Sequence, residues 1–376
     1  MKSAAEKLLM ELIAIPSVNP AFLPRGAQRA GEQNVADCLA RRARRAGLAV
    51  EFQKVLPGRS NLLLRLTPRR NVRKRILLAP HLDTVNAEDG QFIPRIRGDK
   101  IIGRGACDTK GSIAAMFIAL CELAKAGARP RETEIVFAGL VDEEHAQSGS
   151  RALAAWRLKA DLGIVGEATR LEVVTAHKGS LWLRLETHGR AAHGARPELG
   201  RNAVYEMAKV VTLLEGDYAR QLRRREHPLL GSPSVSVGAI RGGTQANIVP
   251  DHCEILVDRR TLPGESGRSV QVELGSLLRR SRLHAEVGYA KAHPSRALET
   301  DPSLPLVQQF LKSAGARRSS GVAFYCDAAV LAEGGIPCIV FGPGDIGHAH
   351  TIDEWISVKS LNGAVAILNR FLRSLP

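Results

Sequence analysis

The sequence predicts an α/β protein: a mostly parallel sheet with flanking helices, interrupted by a smaller inserted α+β domain. Three observations predict it. Short apolar strands alternate with helical patterns through the first half of the chain. The alternation breaks between about residues 179 and 289, where strands and helices make a pattern of their own. It then resumes, with an apolar strand at Cys338–Phe341 and a closing helix at Leu361–Leu375. The length of 376 residues agrees, since domains run to roughly 100–200 residues.

Each element has its own signal. Leu8, Leu9, Leu12 and Ile13 fall on one face of a first helix, and Glu6 and Glu11 interrupt the apolar run. Those two acids exclude a secretory signal peptide, so a cytoplasmic protein is expected. Asn61–Leu66 and Arg75–Pro80 read as strands. Ile113, Met116, Phe117 and Leu120 give Gly111–Ala126 helical spacing, with Gly127 and Pro130 marking its end. Glu134–Val141 reads as a buried strand, Ser150–Leu158 as a helix and Asp161–Val165 as a short strand. The middle segment offers strands at Leu181–Glu186, Val235–Ile240, Cys253–Val257 and Ala285–Tyr289, with helices at Asn202–Leu214 and Ser269–Arg279. The expected organisation is a discontinuous domain of residues 1–178 and 290–376 around an insertion of residues 179–289.

Composition narrows the function. Apolar residues are 44% and charged residues 24%, ordinary for a globular chain, so disorder and fibrous repeats are excluded. Aromatics are 4%, so the core must rest on Leu, Val, Ile and Ala. No run of 18 apolar residues occurs, and no membrane partner is expected. Six cysteines, at 38, 107, 121, 253, 326 and 338, form no CxxC pair, and buried free thiols are expected. The formal charge is +15. Its arginines sit in clusters: Arg41, Arg42, Arg44 and Arg45; Arg69, Arg70, Arg73, Lys74 and Arg75; Arg223, Arg224 and Arg225. No aromatic side chains interleave with them and no zinc-finger, RRM or bZIP signature is present. A solvated basic surface is expected, with no specific nucleic-acid partner, although non-specific contact with polyanions follows from the charge.

The chemistry collects where the strands of the first domain end. One strand runs into His81-Leu82-Asp83, another into Asp142-Glu143-Glu144 and a third into Gly166-Glu167. The loop GRGACDTKG carries Asp108 and opens a helix, and the last strand leads to His348-Ala349-His350. Ligands of open α/β sheets bind beyond the carboxyl ends of the strands. His nitrogens and carboxylate oxygens there suit a zinc-type ion. His81, Asp108, Glu144, Glu167 and His350 number five, which suits two ions sharing a bridging carboxylate. Glu143 is left beside a ligand, where a general base would stand. A phosphate loop is not completed at Gly103-Arg104-Gly105, and HExxH and GxSxG are absent.

PHLDTV, GRGACDTKG, VDEEHAQSGS, GEAT and HAHTIDEW, in this order, resemble the M20 metallohydrolase family. That group includes acetylornithine deacetylase, succinyl-diaminopimelate desuccinylase, aminoacylase and glutamate carboxypeptidase. The likeness spans essentially the whole chain, with GRAAHGARPELGRNAV, GGTQANIVP and VDRRTLPG in the middle segment and GGIPCIVFGPGD near the end. It implies a catalytic domain holding two Zn²⁺ per subunit, with Co²⁺ as an alternative, and a lid or dimerisation domain that makes a homodimer. Asp108 would bridge the ions, His81 and Glu167 would complete one site, and Glu144 and His350 the other. Asp83 would orient His81, and Glu143 would take a proton from the attacking water and pass it to the leaving amine. The likeness gives His193 an oxyanion-stabilising role across the dimer, and gives Arg260 and Asn247 the substrate's carboxylate or backbone atoms. Asp327 lies in a segment that aligns less cleanly and stands as a substrate-side candidate. Thr109 replaces the common Met, without loss of a ligand.

The implied reaction is hydrolysis of the amide of an N-acyl amino acid, as in acetylornithine deacetylase or succinyl-diaminopimelate desuccinylase. AHKG at Ala176–Gly179 resembles the deacetylase branch. AHGARPELG resembles the dipeptidase and carboxypeptidase branch equally well, so a dipeptide substrate is the alternative. A non-catalytic metal-binding homologue is a further alternative, opposed by the complete ligand set and Glu143.

Overall fold

The computed structural model describes residues 1–125, 128–291 and 294–376. The chain first runs α1 (Ala4–Ile13), α2 (Gln33–Arg45), β1 (Ala49–Leu56), β2 (Arg59–Leu66), β3 (Lys74–Pro80), β4 (Arg95–Arg97), β5 (Lys100–Ile102), α3 (Lys110–Lys125), β6 (Thr133–Gly139), α4 (Ser148–Ala155), β7 (Leu162–Gly166) and β8 (Val174–His177). The middle runs β9 (Gly179–His188), α5 (Ala203–Leu213), α6 (Ala219–Arg223), β10 (Ser234–Gly242), β11 (His252–Thr261), α7 (Gly267–Arg280), β12 (Glu286–Tyr289) and β13 (Leu298–Glu299). The chain closes with α8 (Pro305–Ala314), β14 (Ser320–Val322), α9 (Asp327–Glu333), β15 (Cys338–Val340), β16 (Trp355–Ser357) and α10 (Val358–Arg373). Ala126 and Gly127, the expected end of the third helix, lie outside the described residues. The chain divides into two compact units. The first comprises Met1–Thr175, Thr300–Ser320 and Cys326–Pro376, the second Ala176–Glu299 and Gly321–Tyr325.

The first unit is the α/β layer the sequence predicts. Its sheet has the order β1-β2-β6-β3-β7-β15, with β6, β3, β7 and β15 parallel and β1 and β2 antiparallel at one edge. Every residue of β6 and β7 is buried, because helices cover both faces of a parallel sheet. Helix α3 is buried nearly all round, so its sequence shows little amphipathic contrast. Leu8, Leu9, Leu12 and Ile13 of α1 join the same core. Ser3 and Glu6 form a reciprocal capping box that fixes where α1 starts. The core is aliphatic as expected, with Phe310 edge-on to both Phe341 and Phe371. Sequence reading passed over α2, β1, α8 and α9. In α2 the arginines hide the buried stripe Val35, Ala36, Leu39, Ala40 and Ala43.

The second unit is an antiparallel sheet, β10-β11-β9-β12, with α5 and α7 packed on it through Met207, Val210, Leu274 and Leu278. Strand β11 alternates buried and half-exposed residues, the signature of a one-sided sheet. All six cysteines are free and buried. Among the described residues no helix is long and apolar enough to cross a membrane.

Candidate metal centre

The parallel strands β3, β6 and β7 end together, and the residues that follow them meet. His81 follows β3, Asp142–Glu144 follow β6, and Glu167 follows β7. Asp108 precedes α3 on a loop that turns at Gly105, whose φ of +80° suits glycine. His350 follows β15, with a φ of +60°.

Asp108 lies between two imidazoles. Its Oδ1 is 3.0 Å from His81 Nε2 and its Oδ2 is 3.1 Å from His350 Nε2. Glu167 Oε1 flanks the first at 3.8 Å, and Glu144 Oε2 flanks the second at 3.2 Å. Ligand atoms of His81, Asp108 and Glu144 all lie within 4.8 Å of one another. Donors about 2.0–2.2 Å from one ion stand about 3–3.5 Å apart, so the contacts of Asp108 with His81 and His350, and of His350 with Glu144, at 3.0–3.2 Å suit cations held between them. A second observation points the same way: Glu144 Oε1 is buried with no hydrogen-bond partner. Buried carboxylates crowded together cost free energy unless a positive charge sits among them.

Electrostatics reflects the crowding. Burial raises the carboxyls of Glu143 and Glu167 well above their ordinary range; neighbouring carboxylates add to this, while His81 opposes it. Glu144 is raised to about 7 by burial and by Asp108. Burial would also raise Asp108, but hydrogen bonds from His350 and His81 hold it below its ordinary value. Burial alone would lower His81; the carboxylates of Asp108, Asp83 and Glu167 outweigh it and raise the imidazole.

Asp83 is fully buried beneath the cluster. Its Oδ1 accepts the Glu143 N–H at 3.1 Å, and its Oδ2 accepts the Glu144 N–H at 3.1 Å and Asn19 Nδ2 at 2.7 Å. For His81 Nδ1, the nearer acceptor is the main-chain oxygen of Asp83 at 3.0 Å, with the carboxylate at 3.4 Å. Asp83 thus holds the tip that carries Glu143 and Glu144 as well as the histidine. Asp327, at the start of α9, is buried, accepts Ser150 Oγ at 2.5 Å, and leaves Oδ2 without a partner.

Sequence reading missed four supports. Glu354 receives the N–H groups of Gly105, Cys107 and Asp108 and the guanidinium of Arg104, all within 3.0 Å. Lys110 Nζ donates to Leu12 O at 2.9 Å and Ile15 O at 2.8 Å, tying the Asp108 loop to the end of α1. Asn19 bridges Asp83 and Asp142, and Arg59 bridges Glu32 and Asp142. Glu354 and Lys110 had a local signal, their places in HAHTIDEW and GRGACDTKG; Asn19 and Arg59 had none.

The remaining expected residues lie in the second unit. His193 is exposed and pairs with Ile248, and the neighbouring Gly194 N–H donates to Asn247 O at 2.7 Å. His193 and Asn247 therefore come together. Arg260 is half-buried, with Nε 2.9 Å from Asp258 Oδ2. Its neighbour Arg259 is the structural one: fully buried, with Tyr218 Oη at 3.1 Å and Glu265 at 2.8 Å.

Residues 77–374 match the family described as Peptidase family M20/M25/M40. The chain is 30% identical to an acetylornithine deacetylase of Myxococcus xanthus over 339 residues, covering 86% of this chain and 87% of the relative. Its fold resembles aminopeptidase PepT from Bacillus cereus, with a TM-score of 0.78, 22% identity and coverage of 98% and 97%. It also resembles a dinuclear metal binding peptidase from family M20 of Bacillus subtilis, with a TM-score of 0.72, 12% identity and coverage of 98% and 96%.

Proposed function

Since the chain belongs to peptidase family M20/M25/M40, we propose that it hydrolyses the amide bond of an N-acyl amino acid with two divalent ions at the centre described above. The observation that carries this is the position of Asp108, with one carboxylate oxygen facing His81 and the other facing His350. His81, Glu167 and Asp108 would hold one ion, and Glu144, His350 and Asp108 the other. Zn²⁺ suits these nitrogen and oxygen donors, and Co²⁺ is the alternative. When bound, such ions polarise the scissile carbonyl and make water a better nucleophile at neutral pH.

The protein's own groups do the rest. Asp83 fixes the main chain of Glu143 and Glu144, and the buried Glu143 carboxylate feels the charges of His81 and Glu167. Glu143 accepts the proton of the attacking water and delivers it to the leaving nitrogen. His193 serves as the donor that stabilises the developing oxyanion, acting from a partner subunit of a homodimer formed through the second unit. Arg260 and Asn247 receive the substrate's carboxylate or its backbone atoms, and a guanidinium can donate two hydrogen bonds to a carboxylate. These three roles rest on the motif likeness.

An acetylated or succinylated amino acid is the preferred substrate, supported by AHKG and by the Myxococcus xanthus relative. A dipeptide is the second reading, supported by AHGARPELG. Rates of release from N-acetylornithine, N-succinyl-diaminopimelate, other N-acetyl amino acids and dipeptides separate the two. The favoured reading fails if dipeptides alone are cleaved.

A further inference from the structure

The arginine clusters take no part in the centre described above, and two of them converge in the fold. Arg44 and Arg45 follow Arg41 by three and four residues, so the three share one exposed face at the end of α2. The chain then turns at Gly47, whose carbonyl accepts a hydrogen bond from Arg129 Nη2 at 3.5 Å. From Arg129 the strip continues through Arg131. There the Arg69 N–H donates to Pro130 O at 3.1 Å and the Arg70 N–H to Arg131 O at 2.8 Å. Three segments far apart in sequence thus form one basic surface.

Neutralisation is incomplete. Arg42 pairs with Glu11, Arg73 with Glu132 at 3.6 Å, and Arg75 with Glu134 at 2.5 Å. The Asp161 carboxylate accepts the Arg75 N–H, and the main-chain oxygen of Pro376 accepts the Glu132 N–H. Arg41, Arg44, Arg45, Arg70 and Arg131 are exposed and, among the described residues, make no ion pair. The strip lies at the amino end of β3 and β6, whereas His81 and Glu143 follow their carboxyl ends. Seven extended residues separate those ends by about 20 Å.

We propose that this strip binds the phosphate backbone of double-stranded nucleic acid without reading its sequence. Guanidinium groups match phosphate oxygens two at a time. No aromatic residue occurs in 41–47, 68–75 or 128–132, so a single strand finds no stacking platform there. The apolar face of α2 is buried, so the helix offers no anchor to a bilayer. For five phosphate contacts, the association constant falls with salt at a log–log slope of about −4.5.

The test is fluorescence anisotropy with a fluorescein-labelled DNA duplex of about two helical turns. The full chain is titrated between about 50 and 200 mM KCl. Wild type binds with a Kd of about 10 µM at the lowest salt. Arg44→Ala/Arg131→Ala makes the slope shallower by about 2. Arg223→Ala/Arg224→Ala, which removes the same charge elsewhere, leaves the slope unchanged. Both variants keep the wild-type melting temperature and rate of amide hydrolysis, because the altered residues are exposed. Equal weakening by the two variants would overturn the proposal by making net charge the cause. So would absence of binding at the lowest salt. So would retention on phosphatidylglycerol vesicles without binding to the duplex.

Discussion

Glu354 Oε1 accepts the main-chain N–H of Asp108 at 3.0 Å. The same oxygen accepts the Cys107 N–H at 2.8 Å, and the other oxygen accepts Arg104 at 2.7 Å. Glu354 is 1% exposed. One buried carboxylate therefore sets the loop of Asp108 from the segment that carries His350. Glu354→Gln keeps the shape but presents an NH₂ group to N–H donors. We expect kcat/KM to fall by about 10–100-fold with weaker metal retention. Glu354→Ala strands the buried Arg104 charge and costs about 3–5 kcal/mol of stability. Steady-state kinetics, metal analysis and denaturant unfolding check both.

Removing metal has a thermal signature. Asp108, Glu144 and Glu167 crowd one another, and Glu144 Oε1 has no protein partner. Ions at about 100 times their Kd add about 2.7 kcal/mol to stability. Chelation is expected to lower the melting temperature by about 3–4 °C for each ion removed, and Zn²⁺ or Co²⁺ to restore it. An unchanged melting curve would count against a metal at these residues.

Acid acts on the second unit through His177. This imidazole is buried, and burial lowers it to about 4 from an ordinary 6.5. Between those values the unfolded chain binds a proton that the folded chain refuses. The stability is fully present above about 6.5 and is lost as pH falls towards about 4, by about 3 kcal/mol. His177→Leu is expected to flatten that fall because it removes the titrating group, at the cost of the 2.9 Å contact between Nδ1 and the Lys178 carbonyl. Urea midpoints of chelated wild type and variant across this range check it, and parallel curves would contradict it.

His193 offers a separate test of the second unit. It is exposed, and its Nδ1 accepts the Ala195 N–H at 3.1 Å. His193→Ala is expected to lower kcat by about 10²–10³-fold with the melting temperature unchanged. A kcat near wild type would remove His193 from the reaction.

What could be read in the sequence follows from what is local. Buried runs such as Thr133–Gly139 and Leu162–Gly166 announce parallel strands, and their ends mark where His81, Glu143, Glu144 and Glu167 fall. What holds those residues is not local. Asn19 reaches Asp83 across 64 positions, and Lys110 reaches Leu12 across 98. No periodicity encodes such contacts. The α2 helix was hidden because arginines cover its outer face, although its inner stripe is apolar. The convergence of Arg44, Arg129 and Arg70 is likewise a product of the fold alone.

The most direct test of the central claim compares the Zn²⁺- or Co²⁺-loaded wild type with Glu143→Ala on the N-acyl amino acid and dipeptide panel. The account predicts amine release that depends on metal. It predicts a loss of at least about 10²-fold in the variant, which keeps its metal and its fold. Turnover that survives in Glu143→Ala, or no turnover by metal-loaded wild type on any member of the panel, would contradict it.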